Sequence, residues 1–394
     1  MIINFYRRKL AQRWALRHLH RAKASDIDAP CNTVVLYIAH ELALTQVYPL
    51  LYYRQALRSD FGAQINFVPT EIIWHGAEEN TACPQVRRVF VQCPLNAQGE
   101  PVGQFLRRVA ATFPSAKICY LDWQAPLDVR NAPWVDPYID AYITKQTFAR
   151  RSDFDAAFLG DSNLSDHYLR RIGREGPEVR YPFPVGFESK LMLGSNFCFS
   201  PQMLDLFLAS TPPRSGRRDI DVHARVAAHG DEWYAYSRQL AVEALNRLQG
   251  KRIAQSGRVS RPAFFAELRR SKLCFSPFGY GEVCWRDFEA AATGAVLLKP
   301  DSQHLTMFPQ LLVKNQTYVP LAWDFDGFSE AVEQQLAQWR EASAMSEAAF
   351  AVVHDHITRD EPLAPFAAVF SGHLQPHLAL QTAKPLADAG PRSP

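Results

Sequence analysis

Short apolar runs rich in β-branched and aromatic residues alternate, along most of the chain, with longer segments of helical periodicity. This alternation is typical of βαβ units, in which parallel strands form a sheet and helices cover its faces. We therefore predict an α/β fold. A Pro- and Gly-rich stretch between 150 and 218 interrupts the alternation, which then resumes. Two Rossmann-like domains facing across a cleft are the simplest arrangement that agrees with this order.

The individual elements follow from the same pattern. In the first half, strands are predicted over 32–40, 63–70, 86–94 and 116–123, helices over 42–62 and 103–113, and a helix-to-strand step over 135–146. In the second half, strands over 219–225, 251–256, 272–276 and 295–299 alternate with helices over 231–250 and 261–271. We expect a basic amphipathic helix over 1–25, a first domain over 26–200, a second over 201–380 and a disordered tail over 381–394.

Length and composition restrict the class of protein. The 394 residues exceed the size at which one hydrophobic core stops growing, which agrees with two domains. No apolar run reaches the roughly 18–20 residues that span a bilayer, and the N-terminus does not resemble a secretory signal, so a cytoplasmic location is expected. The seven cysteines are scattered without a C-x-x-C pair, which is typical of reduced, buried thiols.

The charge is unevenly distributed. Residues 1–25 contain seven Lys or Arg and no carboxylate, which leaves 36 basic against 40 acidic side chains in the remainder. A slightly acidic body argues against a nucleic-acid partner, which would favour a basic surface. Apolar residues of 1–25 recur at helical spacing opposite the arginines, as in helices that lie on anionic membranes. A helix packed on its own domain with a solvated basic face would show the same pattern.

The segment SPFGYGEVCWRDFEAAATGAVLLKPD (276–301) joins two predicted strands through a charged bend. Gly279 and Gly281 allow a tight turn before a helix that is predicted to begin near 283 and to end at Gly294. In a parallel sheet such a bend lies at the carboxyl edge, where ligands bind, and the N–H groups at a helix start attract anions. The position predicts a phosphate site.

The helical phase places charged groups together. At 100° per residue, Glu282, Arg286 and Glu289 fall on one face, opposite the apolar residues that pack on the sheet. Arg286 could bind phosphate oxygens through two parallel bonds, and Glu289 could accept hydrogen bonds from a ribose diol. A solvated helix face with an i, i+4 ion pair is the alternative, although such a face would not require the two glycines.

These residues resemble the nucleotide-sugar-binding segment of two-domain glycosyltransferases of the GT-B fold, in particular the exostosin-like and group-1 families from bacterial polysaccharide biosynthesis. The resemblance covers about 215–335 and implies that Gly279, Gly281, Arg286 and Glu289 bind the donor. Many retaining group-1 enzymes have paired glutamates in an E-x7-E spacing, whereas six residues separate Glu282 from Glu289 here. The retaining mechanism is therefore not transferred.

Further donor contacts are predicted around this segment. The resemblance implies that a basic residue near the first loop of the second domain meets the diphosphate, and Arg225 and Arg238 are the candidates. Lys299 ends a strand at the ligand edge and could contact the nucleotide or cap a turn. The D-x-D triplets at 219–221 and 324–326 match a metal motif of another glycosyltransferase fold, but the pattern is common. No metal and no other cofactor are expected.

A general base is expected in the first domain, because the acceptor would bind across the cleft. Asp122 ends a predicted strand and is followed by Trp123, whose ring could stack on a sugar. His40 and Glu41 end the first strand. Each could meet an acceptor hydroxyl or serve as an ordinary turn residue. The segment 161–168 could be an acceptor-side loop or a helix cap.

The sequence predicts a metal-independent glycosyltransferase that moves a sugar from a nucleoside diphosphate to a glycan or lipid-linked acceptor in bacterial surface polysaccharide synthesis. The second domain would hold the donor and the first the acceptor, with peripheral membrane contact if residues 1–25 bind anionic lipid. A nucleotide-sugar epimerase or hydrolase of the same fold and a non-catalytic nucleotide-sugar-binding protein are the alternatives. A dinucleotide-binding dehydrogenase is disfavoured, since IAHELA follows the first strand in place of G-x-G-x-x-G.

Overall fold

The computed structural model describes residues 31–75, 82–208, 218–230, 232–255 and 257–373. The first part of the chain contributes nine strands: β1 (Thr33–Tyr37), β2 (Ile65–Pro69), β3 (Arg88–Val91), β4 (Lys117–Asp122), β5 (Ala141–Thr144), β6 (Gln146–Phe148), β7 (Phe158–Leu159), β8 (Glu178–Val179) and β9 (Leu191–Leu193). Six of them form one parallel sheet in the order β2-β1-β3-β4-β5-β9, which defines the first lobe. The strands are buried almost throughout, as parallel strands covered on both faces are.

Six helices accompany this sheet: α1 (Glu41–Tyr52), α2 (Arg54–Phe61), α3 (Glu71–Trp74), α4 (Glu100–Thr112), α5 (Ala132–Val135) and α6 (Asn163–Arg171). The single helix predicted over 42–62 is two helices, α1 and α2, which separate at Tyr53 four residues after Pro49, a residue unfavourable inside a helix. The predicted end at Gly62 is confirmed, since this glycine adopts the left-handed conformation (φ 64°) after the last turn.

The second lobe is a five-stranded parallel sheet. Its strands are β10 (Ile220–Ala224), β11 (Ile253–Gln255), β12 (Ser271–Phe275), β13 (Val296–Pro300) and β15 (Val319–Leu321), and a short strand β14 (Leu305–Met307) lies outside it. The order is β11-β10-β12-β13-β15. The first strand, β10, is therefore an interior strand, and the connections turn to opposite sides between β10 and β12. The crevice at the carboxyl edge of such a switch point is where open α/β sheets bind ligands.

Seven helices complete the described chain: α7 (Pro201–Leu208), α8 (Glu232–Asn246), α9 (Arg261–Arg270), α10 (Trp285–Thr293), α11 (Phe328–Ala337), α12 (Trp339–Thr358) and α13 (Ala364–Ser371). Together the two sheets and their helices form two Rossmann-like lobes, as the sequence predicts. None of the helices among the described residues combines the length and the apolar character needed to cross a membrane. The basic segment 1–25 and the tail 381–394 lie outside the described residues.

The chain connects the lobes more than once. β6 of the first part pairs antiparallel with β14 of the second. After α12 the chain returns to the first lobe, where Arg88 donates to the carbonyl of Phe370 at 3.0 Å and the Tyr53 hydroxyl donates to Asp360 at 2.9 Å. Helix α13 therefore covers the first sheet. This differs from the predicted second domain over 201–380, because the hydrophobic pattern of a helix does not reveal which sheet it covers.

The buried side chain of His356 contacts both segments of the chain that connect the two lobes. His356 near the end of α12 contacts the Ser195 hydroxyl through Nε2 and the Glu361 carboxylate through Nδ1, both at 3.0 Å. The ring is 1% exposed, and burial lowers its pKa from 6.5 to about 4. Ser195 follows the last strand of the first lobe. The neutral imidazole thus connects the segment that leaves the first lobe, at Ser195, to the segment that returns to it, at Glu361.

Acid is expected to weaken the fold through His356. Between about pH 6.5 and 4 the unfolded chain binds a proton that the folded chain does not, so stability falls as the pH is lowered. For this one residue the free energy of unfolding should be about 2 kcal/mol smaller at pH 5 than at pH 7.5. In urea unfolding of the His356→Gln variant, the difference in the free energy of unfolding between pH 7.5 and pH 5 should be smaller than in the wild type by about 2 kcal/mol. The matched variant His354→Gln, two residues away and partly exposed, should keep the wild-type dependence.

Candidate functional site

The switch point of the second sheet lies beneath the loop 276–284, which connects β12 to α10. Cys284 is the N-cap of α10, and Gly294 ends the helix in the left-handed conformation (φ 75°). The predicted end of the helix is confirmed, and its start is two residues later than expected. Glu282 therefore belongs to the loop, so its direction is set by the loop and not by helical phase.

A cleft of about 430 Å³ opens beside this helix start. Its walls come from the loops and helices that follow β10, β11 and β12, and they carry Arg238, Val259, Arg261, Phe264, Ser276, Pro277, Cys284, Trp285, Arg286 and Glu289. Three arginines and one carboxylate give the cleft a net positive lining. The cleft is thus suited to an anion larger than a single phosphate.

Arg286 lies in the first turn of α10. Its guanidinium donates to the backbone carbonyl of Arg225 at 2.7 Å and to that of Phe275 at 3.5 Å, and its buried Nε has no hydrogen-bond partner among the described residues. The two carbonyls fix the orientation of the side chain, and within the described ranges no carboxylate lies at salt-bridge distance from its positive charge. An anionic ligand would satisfy that charge.

Arg238 and Arg261 bring two further cations to the cleft. Arg238 on α8 is 8% exposed, and its guanidinium lies 4.9 Å from the centre of the Tyr234 ring. Its Nε also has no hydrogen-bond partner among the residues that the structure describes. Arg261 begins α9 and bonds the side chain and the backbone carbonyl of Gln202, the latter at 3.2 Å. Arg238 is buried and Arg286 partly buried, whereas Arg261 is exposed at the edge of the cleft. Like charges placed close together with reduced access to water are costly, which is the arrangement expected where an anion binds.

Glu289 lies one turn below Arg286 on the same wall. Burial raises the pKa of its carboxyl group, and the neighbouring charges of Arg286 and Arg261 oppose that shift. Among the described residues no hydrogen bond to its side chain is found. A partly desolvated acceptor beside arginines can bind hydroxyl groups of a ligand whose anionic part the arginines hold.

Two predicted donor contacts have structural partners instead. Lys299 is fully buried and binds both oxygens of Asp287 at 3.0 and 3.1 Å, while Asp287 also accepts from Ser276 and from the Cys284 backbone. The Arg225 side chain is bound by Glu267 through two bonds of 2.7 Å. Direct donor contact is therefore not supported for either side chain. Lys299 braces the start of α10, and Arg225 supplies the carbonyl that orients Arg286.

Gly281 and Glu282 form the contact between the loop and the first lobe. A Cβ atom on Gly281 would lie 2.9 Å from both the Cβ and the carbonyl oxygen of Ala125 in the loop after β4. Neither Gly279 nor Gly281 has a positive φ, so close approach is the reason for Gly281. Glu282 is fully buried, and its Oε1 accepts from Asn163 at 2.7 Å and contacts Nε2 of His304 at 3.1 Å. Its other oxygen, Oε2, has no hydrogen-bond partner in the part of the chain that the structure describes.

The sequence predicts Asp122 as a base candidate at the cleft, but in the structure its side chain is buried. Its carboxylate is 3% exposed and accepts from the Tyr142 hydroxyl at 2.5 Å and from the Gln124 backbone at 3.0 Å. Burial raises its pKa and lowers that of the neighbouring Lys145 to about 8. Trp123 is buried as well and donates to the Cys93 carbonyl. These residues support the edge of the first sheet, and neither presents a group to an acceptor.

His40 and Glu41 do reach the surface at the carboxyl end of β1. His40 is the N-cap of α1, where its Nδ1 accepts from Leu42, and its ring lies 5.4 Å from that of Trp123. Glu41 accepts from the Gln202 side chain, which is itself bonded by Arg261. The two predicted base candidates therefore lie on the first lobe's side of the donor cleft.

Several residues of the site were not predicted. Arg261 follows β11 in the first helical turn, the same position that singled out Arg286 after β12, so the same reasoning would have found it. Asn163 falls within the segment 161–168, where Ser162 caps α6 as one interpretation proposed. His304 gave no signal, because its role depends on a contact with a loop 22 residues away.

The two D-x-D triplets are engaged in ion pairs. Asp219 binds Arg270 at 2.6 Å, Asp221 binds Lys272 at 2.8 Å, and Asp324 binds Arg171 at 3.1 Å. Within the part of the chain that the structure describes, no group of three or more His, Cys, Asp or Glu side chains is placed to hold a metal ion.

Comparisons with known proteins give similarity at the level of whole structures. No protein-family model matches the chain, and no curated protein matches it in sequence. A glycosyltransferase from Rickettsia africae has 10% identity and a TM-score of 0.49 over 88% of this chain and 99% of its own. Anabaena HepE in complex with UDP-glucose has 8% identity and a TM-score of 0.46, with 86% and 99% covered. A UDP-forming trehalose-phosphate synthase from Burkholderia vietnamiensis has 12% identity and a TM-score of 0.42, with 87% and 98% covered. Values this low leave substrate and mechanism to be inferred from the chain's own residues.

Proposed function

We propose that this chain transfers a glycosyl group from a nucleoside diphosphate sugar to an acceptor hydroxyl. The observation that carries the proposal is the cleft at the switch point of the second sheet, lined by Arg238, Arg261, Arg286 and Glu289. A nucleoside diphosphate combines the two features that these groups would recognise, a multiply charged anion and a ribose diol. The motif resemblance over 215–335 assigns the same segment to donor binding.

The residues then divide into roles. Arg286 and Arg238 would bind the diphosphate together with the first N–H groups of α10, and Glu289 would accept hydrogen bonds from the ribose hydroxyls. The free oxygen of Glu282 would bind a hydroxyl of the transferred sugar. As the bond to the sugar breaks, the arginines stabilise the negative charge that develops on the leaving diphosphate. Because cations of the chain itself can serve this purpose, we propose that no divalent ion is required.

The acceptor would approach from the first lobe. Its carboxyl edge faces the donor cleft, and His40 and Glu41 are the accessible titratable groups predicted there as base candidates. Asp122 is left out of this role because its carboxylate is already bonded on both oxygens. We extend the proposal to an exostosin-like or group-1 enzyme of bacterial surface polysaccharide synthesis, acting at the cytoplasmic side and in contact with anionic membrane through residues 1–25.

Donor screening tests the function directly. The melting temperature of the full chain is measured with UDP-, GDP-, CMP- and dTDP-sugars, in buffer with and without EDTA, and the stabilising donor is then incubated with and without glycan acceptors. We expect stabilisation by one nucleotide class and release of the nucleotide only when acceptor is present. Release without acceptor would identify an epimerase or hydrolase, and stabilisation without release a binding protein. Loss of the effect in EDTA would contradict metal independence.

A further inference from the structure

Five aromatic side chains form a continuous band, here called the aromatic band, along the mouth of the cleft. Tyr280 stacks on Tyr234 with ring centres 4.3 Å apart and planes 10° apart, and Trp233 meets both rings edge-on at 5.8 and 5.9 Å. Tyr168 lies parallel to Trp233 at 6.4 Å and to Trp323 at 6.5 Å. The band extends from the charged bend of the second lobe to helix α6.

The topology of the second sheet explains why these rings meet. Trp233 and Tyr234 lie in the first turn of α8, Tyr280 in the loop after β12, and Trp323 two residues after β15, so all four follow strands at the carboxyl edge. Gly230 makes the stacking possible, since a Cβ atom there would lie 2.6 Å from the Tyr234 ring. The carboxyl edge of the second sheet forms the donor cleft, and the aromatic band lies beside that cleft because its rings follow strands at the same edge.

The outer end of the band is accessible. Tyr280 is 51% exposed, the highest value after Val185 and Leu95 among the large apolar side chains that are exposed, whereas Trp233, Tyr234 and Trp323 are half-buried. An exposed tyrosine between two glycines would be poorly held by the loop alone. Its stacking on Tyr234, whose ring also contacts Arg238, holds it in place. The ring is thus presented in a fixed orientation.

The inner end of the band meets hydrogen-bonding groups. The His304 ring lies 5.3 Å from that of Trp323 and contacts Glu282 at 3.1 Å. The buried Oε2 of Glu282 lacks a partner, and Asn163 adjoins the same carboxylate. Aromatic faces followed by a carboxylate, an amide and an imidazole offer both stacking surfaces and hydrogen bonds to hydroxyl groups.

The charges beside the band distinguish among possible ligands. Arg174 pairs with Glu232 at 2.5 Å, and Arg171 pairs with Asp324 at 3.1 Å. Arg171 and Arg174 are thus neutralised within the chain, whereas Arg238, next to Tyr234, lines the donor cleft. Binding of single-stranded nucleic acid requires a positively charged groove along its stacking rings, so these pairs argue against it. A lipid chain would favour apolar contacts without adjacent hydrogen-bonding groups.

We propose that the aromatic band binds a carbohydrate acceptor, with a pyranose ring stacked on the outer face of Tyr280 at the exposed end of the band. This inference rests on the proposed function and assigns its acceptor class. A pyranose has one apolar C–H face and hydroxyl groups at its edge, which matches aromatic rings next to Glu282, His304 and Asn163. Tyr280 precedes Gly281, which contacts Ala125 of the first lobe, so an acceptor bound at Tyr280 would lie between the two lobes and remain open to approach from the first.

Binding of the full chain to an array of bacterial glycans, in the presence of the stabilising nucleotide, tests the proposal. We expect at least one glycan to be bound, the Tyr280→Ala variant to bind it at least about tenfold more weakly, and Tyr280→Phe, which keeps the ring, to bind as the wild type does. The matched variant Trp134→Ala removes another exposed ring, 43% accessible, from the first lobe and should bind normally.

Donor binding separates this inference from the proposed function. The Tyr280→Ala variant should keep the nucleotide-induced shift in melting temperature, because Tyr280 does not line the donor cleft. Wild-type protein that is stabilised by a nucleotide but binds no glycan, or Tyr280→Ala protein that binds glycans normally, would overturn the inference alone. Weaker binding of Tyr280→Ala to single-stranded DNA or to phosphatidylglycerol vesicles, with glycan binding unchanged, would assign the band to that partner instead. Absence of any nucleotide effect would overturn the proposed function as well.

Discussion

Replacing Arg286 with alanine is expected to abolish stabilisation by the nucleotide donor while leaving the melting temperature of the free protein almost unchanged. The guanidinium can form two charge-assisted bonds to phosphate oxygens, so its loss should cost about 3 kcal/mol of binding free energy, or roughly 100-fold in Kd. The free protein loses two bonds to backbone carbonyls but is relieved of one cation beside Arg238 and Arg261. Calorimetric titration with the stabilising nucleotide measures the effect.

Two matched variants control this result. Arg286→Lys keeps the charge without the planar fork and should bind with intermediate affinity. Arg359→Ala removes an exposed arginine at the end of α12 and should bind nucleotide normally. Nucleotide affinity of Arg286→Ala within a factor of three of wild type would show that the cleft is not the donor site.

Introducing a methyl group at Gly281 should lower the transfer rate about 100-fold and leave donor affinity within a few-fold of wild type. The new Cβ would lie 2.9 Å from both the Cβ and the carbonyl oxygen of Ala125, and that oxygen is held by Gln146 at 3.1 Å. The loop and Glu282 must shift, or the lobes must separate, and small displacements of reacting groups have effects of this size. The arginines of the donor cleft are not touched by the change. Steady-state rates with saturating donor give the comparison.

Gly279 provides the control within the same loop. Its added Cβ would meet the Cys284 sulfur at 3.4 Å and the backbone oxygen and nitrogen of Gly281 at 3.6 and 3.9 Å, which are ordinary contact distances, and its φ is not positive. Gly279→Ala should therefore transfer at close to the wild-type rate. Equal rates for the two alanine variants would mean that the contact between the loop and Ala125 does not contribute to transfer.

Much of the fold is encoded locally. Alternating apolar runs predicted both parallel sheets, and Gly62 and Gly294 marked helix ends because a left-handed residue there is readily adopted only by glycine. Arg286 and Glu289 could be predicted as neighbours because they share a helix. The anion-binding site can therefore be predicted from the sequence only within one helix and the loop that precedes it.

The remaining errors concern contacts between distant segments. Lys299 and Arg225 occupy the expected edge of the sheet, but Asp287 and Glu267 bind their charges, and no sequence spacing reveals such pairs. Asp122 ends its strand as predicted, yet the Tyr142 hydroxyl on the neighbouring strand covers it. Helical phase predicts a place for Glu282 on a helix face, whereas its contacts come from Asn163 on α6 and from His304 in the loop between β13 and β14. Position at a sheet edge predicts proximity to a ligand, but not which side chains remain unpaired.

The return of the chain to its first lobe has a consequence for anyone who divides the protein. A fragment ending near residue 200 would lack α13, and with it the cover over Phe90, whose ring lies 5.7 Å from Phe366 and 5.8 Å from Phe370. A fragment beginning there would carry that apolar helix without its sheet. Neither half is a self-sufficient unit, so dissecting donor and acceptor binding requires point substitutions in the intact polypeptide.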